Sequence, residues 1–272
     1  MKAIVAGGAG FIGSYLAEEL LKRGYEVIVI DNFSSGKIEN LKEIESEIEI
    51  IEGDLKNFDF VIENVKGDVV FHYAAIPEVR LSSQNPKEVF ENNVISILNV
   101  LEACRINNIK YFVFASSSTV YGDAKIPTKE NEEIKPISVY GASKAACESL
   151  IISYSNSFKI KSLILRYANI IGKRSKHGVI YDFINKLKNN PHELEILGDG
   201  NQEKSYLHVS EAIRATLFAF DWFINSDSLY EIFNIGSEDK IKVIEIAKII
   251  CEEMKLNPKF KFKIEVADGR LN

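Results

Sequence analysis

The chain has 272 residues, of which 46% are hydrophobic and 26% are charged, a composition typical of a soluble globular protein with a sizeable core. This length fits one large α/β domain or a domain with a smaller appendage. The formal net charge of −6 argues against nucleic acid or an anionic membrane as the main partner.

The cysteines and the start of the chain predict a cytoplasmic protein. Cys104, Cys147 and Cys251 are widely spaced and form no disulfide or metal pattern, so a reducing compartment is expected. The residues from Met1 to Ala6 already have a strand pattern, which leaves no room for a signal peptide. Apolar runs stay below membrane-spanning length, and the histidines are scattered. We therefore predict neither a membrane partner nor a metal site.

Short apolar runs alternate with helical patterns through the first two thirds of the chain. The runs predict strands at 2–6, 27–30, 47–51, 68–72, 111–115 and 163–166. The helical spacing of apolar residues predicts helices at 10–23, 86–105 and 138–157. Because strands that alternate with helices form parallel sheets, we predict a Rossmann-type, doubly wound α/β fold.

After Arg166 this alternation becomes less regular. The pattern there predicts a basic loop at 172–178, helices at 179–187, 210–223 and 243–254, and strands at 194–197 and 232–235. We expect a smaller C-terminal α/β lobe over the carboxyl edge of the sheet, where ligands of such sheets bind. The predicted division is a Rossmann domain at 1–167 and a substrate-binding lobe at 168–272, interleaved with the first.

Three glycines connect the first predicted strand to the first helix. Gly7, Gly10 and Gly13 have the spacing Gly-x-x-Gly-x-x-Gly. Glycine allows a tight turn there and lets the backbone approach a pyrophosphate, which then lies at the helix N-terminus. A plain tight turn is the alternative, since a glycine motif alone is weak evidence. Its position between a strand and a helix favours a dinucleotide site.

Asp31 ends the second predicted strand, where a carboxylate can accept hydrogen bonds from ribose hydroxyls. Its charge would repel a 2′-phosphate, and residues 32–35 supply no arginine to bind one. The expected cofactor is therefore NAD rather than NADP.

Further candidates for cofactor contact follow later strands. Asp54 and Leu55 would reach the adenine, or they form an ordinary exposed strand end. Ala74 and Ala75 are small enough for a cofactor to lie against the backbone, although plain core packing gives the same pattern. Asn93 is disfavoured inside a helix, so we expect it to hydrogen-bond a buried partner.

Tyr140 and Lys144 are four residues apart in a predicted helix and so share one face. The lysine ammonium can lower the pKa of the phenol, which makes a proton-transfer group for neutral pH. The same spacing recurs at Tyr121 and Lys125, but that stretch leads into Pro127 without apolar periodicity and indicates a loop. Tyr140 is the remaining candidate base.

Together these motifs resemble the extended short-chain dehydrogenase/reductases, in particular the NAD-dependent epimerases and dehydratases of nucleotide sugars. The pattern is most similar to that of UDP-glucose (UDP-galactose) 4-epimerases and runs over nearly the whole chain. The motifs that carry the resemblance are Gly7-x-x-Gly10-x-x-Gly13, Asp31-Asn32, Asp54-Leu55, His72-Tyr-Ala-Ala75, Asn92-Asn93-Val94, Ser116-Ser-Ser-Thr-Val-Tyr-Gly122, Tyr140-x-x-x-Lys144 and Arg166-Tyr-Ala-Asn169.

The resemblance implies a role for each catalytic candidate. Tyr140 would take the proton from the sugar 4-hydroxyl as a phenolate. Lys144 would lower its pKa and hold the nicotinamide ribose, and Ser117 would bridge substrate and Tyr140. Hydride would leave carbon 4 for NAD and return to the other face of the 4-keto sugar.

Dehydratases of this family place an Asp and a Glu directly after the active hydroxyl, and decarboxylases keep a Glu at the second place. Here these places hold Ser118 and Thr119, which cannot act as carboxylate acids or bases at neutral pH. The resemblance therefore favours epimerisation over elimination. The alternative is that 116–118 is only a polar strand end.

The family pattern also implies the remaining contacts. Further cofactor contacts are expected at Phe11, Ile12, Asn32, Ser35, Gly36, Tyr73 and Tyr167. Further contacts with the nucleotide sugar are expected at Ser118, Asn169, Val179, Lys204 and Tyr206.

Two departures from the family pattern concern the nucleotide. Lys204-Ser205 stands where the family usually has Arg-Asp, and lysine meets a diphosphate as a point charge without bidentate geometry. The resemblance also implies some tens of residues beyond the stretch that here is Asp268-Gly-Arg270, so either the protein is shorter than its family or this sequence omits a tail. Arg270 is either a diphosphate contact or a solvated residue near the terminus.

The leading interpretation is a NAD-dependent 4-epimerase that acts on a UDP-hexose, with UDP-glucose and UDP-galactose as the simplest pair. UDP-uronate and UDP-N-acetylhexosamine epimerases are the alternatives within this class. A non-catalytic NAD-binding sensor is the alternative of another class. The family also implies a homodimer through the helices at 86–105 and 138–157.

Overall fold

Seven strands form a parallel sheet in the computed structural model, which describes residues 1–77, 79–263, 266–267 and 270–271. The order across the sheet is β11-β6-β5-β4-β1-β2-β3, and each neighbouring pair of strands is parallel. Its strands are β1 (Lys2–Ala6), β2 (Glu26–Asp31), β3 (Glu49–Glu52), β4 (Val69–His72), β5 (Tyr111–Ser117), β6 (Lys161–Tyr167) and β11 (Tyr230–Ile235). The chain order reverses between β1 and β4, which is the doubly wound, Rossmann-type arrangement predicted.

Helices cover both faces of this sheet because alternate side chains of each strand point to opposite faces. Phe71 contacts Phe220 of one helix, whereas Phe112 and Phe114 belong to the core cluster on the other face. The helices around the sheet are α1 (Phe11–Lys22), α2 (Phe58–Asn64), α3 (Val79–Gln84), α4 (Pro86–Ile106), α5 (Val139–Phe158) and α7 (Val209–Ile224). The buried strands are apolar on both faces, as expected for parallel strands.

The remaining elements form a second compact unit. It contains β7 (Asn169–Ile171), α6 (Val179–Asn189), β8 (Glu193–Leu197), β9 (Glu203–Lys204), β10 (Tyr206–His208), β12 (Ile241–Lys242), α8 (Val243–Glu253), β13 (Lys259–Lys263), β14 (Val266–Ala267) and β15 (Arg270–Leu271). The pairs are β7 with β10, β8 with β13, β9 with β12, and β14 with β15. Its core is built around Phe183, Leu194, Ile196, Ile246 and Ala247.

The two units are Met1–Ala168 with His208–Ile235, and Asn169–Leu207 with Gly236–Asn272. Residues 208–235, which the sequence division groups with the smaller lobe, belong to the first unit because β11 pairs along β6. The candidate phosphate contact at Arg270, with Asp268 and Gly269 before it, lies outside the described side chains.

Most predicted elements are present with boundaries shifted by a few residues. α2, α3 and the strands of the second unit other than β8 were not predicted, since most of them are too brief to show periodicity. Among the described residues, no helix combines the length and apolar character needed to cross a bilayer.

Candidate active site

The glycine turn between β1 and α1 is too crowded for side chains. Gly7 has a φ of +78°, and a Cβ added to it would lie 2.5 Å from the amide nitrogen of Ala74. A Cβ on Gly13 would lie 2.3 Å from the carbonyl oxygen of Gly7. Gly10 caps α1 and offers no side-chain hydrogen bond to its first turn. The backbone amides of Phe11 and Ile12 thus begin a helix with no side chain capping it, which suits an anionic phosphate.

Asp31 is fixed beside this turn by backbone donors. Its Oδ2 accepts from the amide of Ala9 at 2.9 Å, and its Oδ1 accepts from the amide of Phe33 at 2.9 Å. Burial raises the pKa of the Asp31 carboxyl, while these amide hydrogen bonds oppose that shift. A Cβ on Gly36 would lie 2.9 Å from both carboxylate oxygens, so only glycine leaves that side open.

The other predicted adenosine contacts differ in exposure. Asn32, Ser35 and Asp54 are exposed, and Asp54 accepts from the amide of Lys56 at 2.9 Å. Leu55 is buried in the main core cluster, so an exposed strand end describes Asp54 but not Leu55. Ala75 is partly buried, like Ala74 at the glycine turn.

Tyr140 and Lys144 lie in the first turns of α5, which begins at the cap Ser138. The Ser138 hydroxyl accepts from the amide of Gly141 at 3.0 Å. Tyr140 and Lys144 are buried, with 8% and 3% of their surfaces exposed. The Lys144 ammonium donates to the carbonyl oxygen of Ala115 at 2.7 Å and lies 4.6 Å from the centroid of the Phe114 ring. The predicted shared face is therefore turned toward β5.

The pKa of Tyr140 departs from the prediction. Burial raises the pKa of this phenol to about 12, and a hydrogen bond with Ser117 opposes the shift. Burial thus outweighs any effect of Lys144, whose ammonium binds Ala115 and lies 5.9 Å from the centroid of the Tyr140 ring, and stabilisation of the phenolate by this charge stays a prediction. Burial also lowers the pKa of Lys144 to about 8.

Ser117 ends β5 and caps the short 3-10 turn formed by 118–121. Its hydroxyl oxygen accepts from the amide of Thr119 at 3.2 Å and from the Thr119 hydroxyl at 3.0 Å. With its acceptor positions engaged, the Ser117 hydroxyl can donate to the Tyr140 oxygen. Ser118 is exposed. Thr119, noted only as a missing carboxylate, orients the serine.

Asn93 has the buried partners expected of it. Its Oδ1 accepts from the amide of Ile76 at 2.9 Å, and its Nδ2 donates to the Ser143 hydroxyl at 2.9 Å. The Ser143 hydroxyl in turn lies 2.7 Å from the carbonyl oxygen of Tyr140. Asn93 therefore links the segment after β4 to the helix of the candidate base, and its contact with a cofactor stays a prediction.

Tyr73 and Tyr167 form a chain of hydroxyls with a residue that was not predicted. Their hydroxyl oxygens are 2.5 Å apart, and that of Tyr167 is 2.5 Å from Oγ1 of Thr216 on α7. The Thr216 hydroxyl donates to the carbonyl of Ala212 at 2.8 Å, so each tyrosine donates toward α7. Burial raises the pKa of Tyr73 to about 12. Thr216 lies in an ordinary amphipathic helix, and its sequence carries no signal of this contact.

The remaining candidates belong to the second unit. The Asn169 amide donates to the carbonyl of Ser205 at 3.0 Å, which joins β7 to the strand region of 203–208. Val179 and Tyr206 pack against the core of this unit, and Lys204 is exposed.

Within the first unit, the site residues fit a dinucleotide. The turn excludes side chains, the helix start is uncapped by side chains, and Asp31 lies beside both. Tyr140, Lys144 and Ser117 meet at the end of β5, the same carboxyl edge of the sheet. This arrangement can hold a hydride-transfer cofactor and move a proton at a hydroxyl.

Known proteins share this pattern over most of the chain. The model of the NAD dependent epimerase/dehydratase family matches residues 3–236. A putative UDP-glucose 4-epimerase of Methanocaldococcus jannaschii is 38% identical over 259 residues, covering 92% of this chain and 82% of that protein. A UDP-N-acetyl-alpha-D-glucosaminuronate decarboxylase of Bacillus cytotoxicus is 37% identical over 263 residues, covering 92% and 79%.

A crystal structure of a UDP-galactose 4-epimerase has the same fold. It superposes with a TM-score of 0.90 at 48% identity, covering 96% of this chain and 86% of that one. The extent of the family match, together with the glycine turn and the Tyr140–Lys144 pair, decides the family. The chain belongs to the NAD dependent epimerase/dehydratase family.

Proposed function

We propose that this chain is a NAD-dependent 4-epimerase of a UDP-hexose, most simply one that interconverts UDP-glucose and UDP-galactose. One observation carries the proposal: Tyr140, Lys144 and Ser117 meet at the end of β5, while Ser118 and Thr119 place no carboxylate beside them. Base, cation and hydroxyl are the groups needed for reversible oxidation of an alcohol.

Each residue of this group has a defined task. The Tyr140 phenolate would take the proton from the 4-hydroxyl, and the Ser117 hydroxyl, oriented by Thr119, would stabilise that phenolate by donating to it. Lys144, held by Ala115, supplies a fixed positive charge near the developing phenolate. NAD, when bound, would accept the hydride from carbon 4 of the sugar and give it back to the opposite face. Tyr140 would return the proton to the oxygen on carbon 4, which gives the epimer.

Elimination of water is disfavoured by the same residues. Expulsion of a hydroxide needs an acid, and side-chain hydroxyls such as those of Ser118 and Thr119 stay protonated at neutral pH and are too weak. Thr119 is moreover engaged with Ser117 at 3.0 Å. Epimerisation needs no further acid, because the 4-hydroxyl proton returns from Tyr140.

The sugar is the open part of the proposal. A relative at 37% identity is named as acting on an N-acetylated uronate, so UDP-uronate and UDP-N-acetylhexosamine remain alternatives. In the second unit, Asn169, Val179, Lys204 and Tyr206 are the proposed contacts of the nucleotide sugar. Lys204 is exposed, as a residue that meets a diphosphate must be.

A homodimer in the cytoplasm completes the proposal. The apolar side chains of Phe90, Ile95 and Ile106 on α4 and of Phe158 on α5 are between 41% and 48% exposed, which favours burial against a second copy. Size-exclusion chromatography with light scattering tests this: a monomer at micromolar concentration would contradict it.

A substrate panel tests the function. The purified protein is incubated separately with UDP-glucose, UDP-galactose, UDP-N-acetylglucosamine and UDP-glucuronate, and the products are separated by anion-exchange chromatography. We expect conversion of at least one to its 4-epimer without net consumption of NAD. Bound NAD with no conversion of any sugar would favour the non-catalytic sensor.

A further inference from the structure

Polar residues form a row across three neighbouring strands where a core would otherwise be apolar. In the sheet register Ser116 of β5 is paired with Arg166 of β6, and Arg166 with Asn234 of β11. Side chains at paired positions point to the same face of a parallel sheet. Ser116 and Arg166 are each only 3% exposed. Ser116 directly precedes Ser117, so this row ends beside the candidate site.

Glu148 of α5 completes the row from above the sheet. Its Oε1 accepts from the Ser116 hydroxyl at 2.5 Å and from Nε of Arg166 at 3.0 Å, and its Oε2 accepts from Nη2 at 2.7 Å. Glu148 lies one turn after Lys144 on the same helix face. A bidentate pair fixes both the distance and the rotation of the groups it joins. The pair therefore sets how α5 lies on β5 and β6.

The second guanidinium edge of Arg166 holds the segment that follows Ser117. Its Nη1 donates to the Tyr121 hydroxyl at 2.8 Å and to the carbonyl of Glu130 at 2.9 Å. The Tyr121 hydroxyl donates to Oδ1 of Asn234 at 2.7 Å. Tyr121 is the last residue of the 3-10 turn that Ser117 caps. Arg166 therefore holds the end of the turn that begins at Ser117.

Stability alone does not account for these groups. Both side chains of the Arg166–Glu148 pair are 2% exposed, and removing two charges from water costs about as much as their attraction returns. A well-packed apolar pair would stabilise the core equally well. What the ion pair adds is a single geometry for the helix, the strand end and the turn.

We propose that Glu148 and Arg166 are positioning residues that, through Ser116 and Tyr121, hold Ser117 against Tyr140 for the reaction. This inference rests on the proposed epimerase function and assigns the pair no contact with substrate or cofactor. Its effect is on the rate of the chemical step and not on binding.

The test compares two buried serines that each link α5 to the sheet. Ser116→Ala removes the link to Glu148 near Tyr140 and leaves the ion pair intact. Ser162→Ala removes the link to Ser155 at the far end of α5, where the two hydroxyls are 2.8 Å apart. Both positions are buried, so both variants lose a similar amount of thermal stability.

We expect Ser116→Ala to lower kcat on the order of 10-fold, since displacement of a reacting group by about 1 Å costs up to about 100-fold. KM and the Kd for NAD stay at wild-type values, and Ser162→Ala keeps the wild-type kcat. Arg166→Lys, which cannot form the bidentate pair, lowers kcat in the same way. A kcat of Ser116→Ala equal to that of Ser162→Ala overturns the inference.

A second readout separates this inference from the proposed function. Hydrogen exchange of backbone amides is followed in peptides that cover 117–121 and 138–144. Faster exchange there in Ser116→Ala but not in Ser162→Ala supports the positioning role. Equal exchange in the two variants overturns it, whether or not the wild type shows turnover. Absence of turnover in the wild type by itself sinks only the epimerase function. Should Arg166→Lys fail to fold, Ser116→Ala carries the test.

Discussion

The Nζ atom of Lys144 donates a hydrogen bond of 2.7 Å to the carbonyl oxygen of Ala115, two residues before Ser117 on β5. The lysine thereby ties its own helix to the strand that carries the serine. Tyr140 lies one turn earlier on the same helix and reaches the same strand end, where it is hydrogen bonded to Ser117. The Lys144–Ala115 contact is therefore one of the links that fix the relative placement of base and serine, beside those of Glu148 with Ser116 and Arg166.

Replacement of Tyr140 by Phe should abolish turnover and leave NAD binding unchanged. The ring keeps its packing, but the proton acceptor is lost, and general-base catalysis contributes about 100-fold to 10,000-fold. Tyr154→Phe is the matched control. Tyr154 lies on the same helix as Tyr140 but away from the site, and its hydroxyl donates to Glu102 of α4 at 2.7 Å. Rates are measured with the best UDP-sugar of the panel. A Tyr140→Phe enzyme as fast as the Tyr154→Phe control would refute the role of Tyr140.

Activity should fall as the pH rises through about 8, because burial lowers the pKa of Lys144 to about 8. Loss of the ammonium removes the charge that stabilises the phenolate. The stability effect has the opposite sign: the folded pKa lies below the unfolded value of 10.5, so the cost of the buried charge is relieved between pH 8 and 10.5. The pH profile of kcat measures this. Lys144→Met should lower kcat and abolish its decrease at alkaline pH. The variant Lys66→Met, at an exposed position, should keep the wild-type kcat and the same decrease.

Replacement of His72 by Phe should protect the fold against acid. The ring nitrogens of His72 have no hydrogen-bond partner within the described structure, and the backbone of Ala74, although close enough to act on the pKa, is outside bonding geometry. Burial, with the nearby Lys144 charge, lowers the pKa of His72 to about 3. Because this pKa lies below the unfolded value of 6.5, stability is lost as the pH falls through 6.5 toward 3.

The expected gain for His72→Phe at pH 5 relative to pH 7.5 is about 2 kcal/mol, from roughly 1.4 kcal/mol for each pH unit below 6.5. Phenylalanine fits beside the rings of Phe112 and Phe114, whose centroids lie 6.0 and 6.1 Å away. Urea unfolding at both pH values measures the difference. Exposed His192→Gln is the control, and an equal pH dependence in both variants would contradict the assignment.

Gly13→Ala should weaken NAD binding by about 10-fold or more, because the added Cβ would lie 2.3 Å from the Gly7 carbonyl and displace the turn. Gly24→Ala is the control at the other end of α1. Its φ of +79° makes alanine strained, but an added Cβ meets no atom within 4 Å. Both variants should unfold at lower temperature, and only Gly13→Ala should lose NAD affinity in a fluorescence titration. Equal affinity in the two variants would rule out a cofactor role for the turn.

Local patterns were enough to predict the frame of the site. The apolar runs and helical spacings identified the strands of the large sheet and α1, α4 and α5, because buried parallel strands and amphipathic helices differ in period. The absence of apolar periodicity before Pro127 distinguished Tyr121 from Tyr140, and the structure places Tyr121 at the end of a 3-10 turn and Tyr140 in α5. Asn93 was rightly expected to have a buried partner.

The positions of Tyr140 and Lys144 on one helix, of the glycine turn and of Asp31 at a strand end were thus predicted from the sequence alone, since each depends on residues close together in the chain. Only the tertiary structure decided which way the Tyr140 pKa moves, because burial depends on every element packed around it. It also decided that Glu148 meets Ser116 and Arg166, and that Thr216 meets Tyr167. These partners lie between 18 and 49 residues apart, and no local periodicity connects such distances.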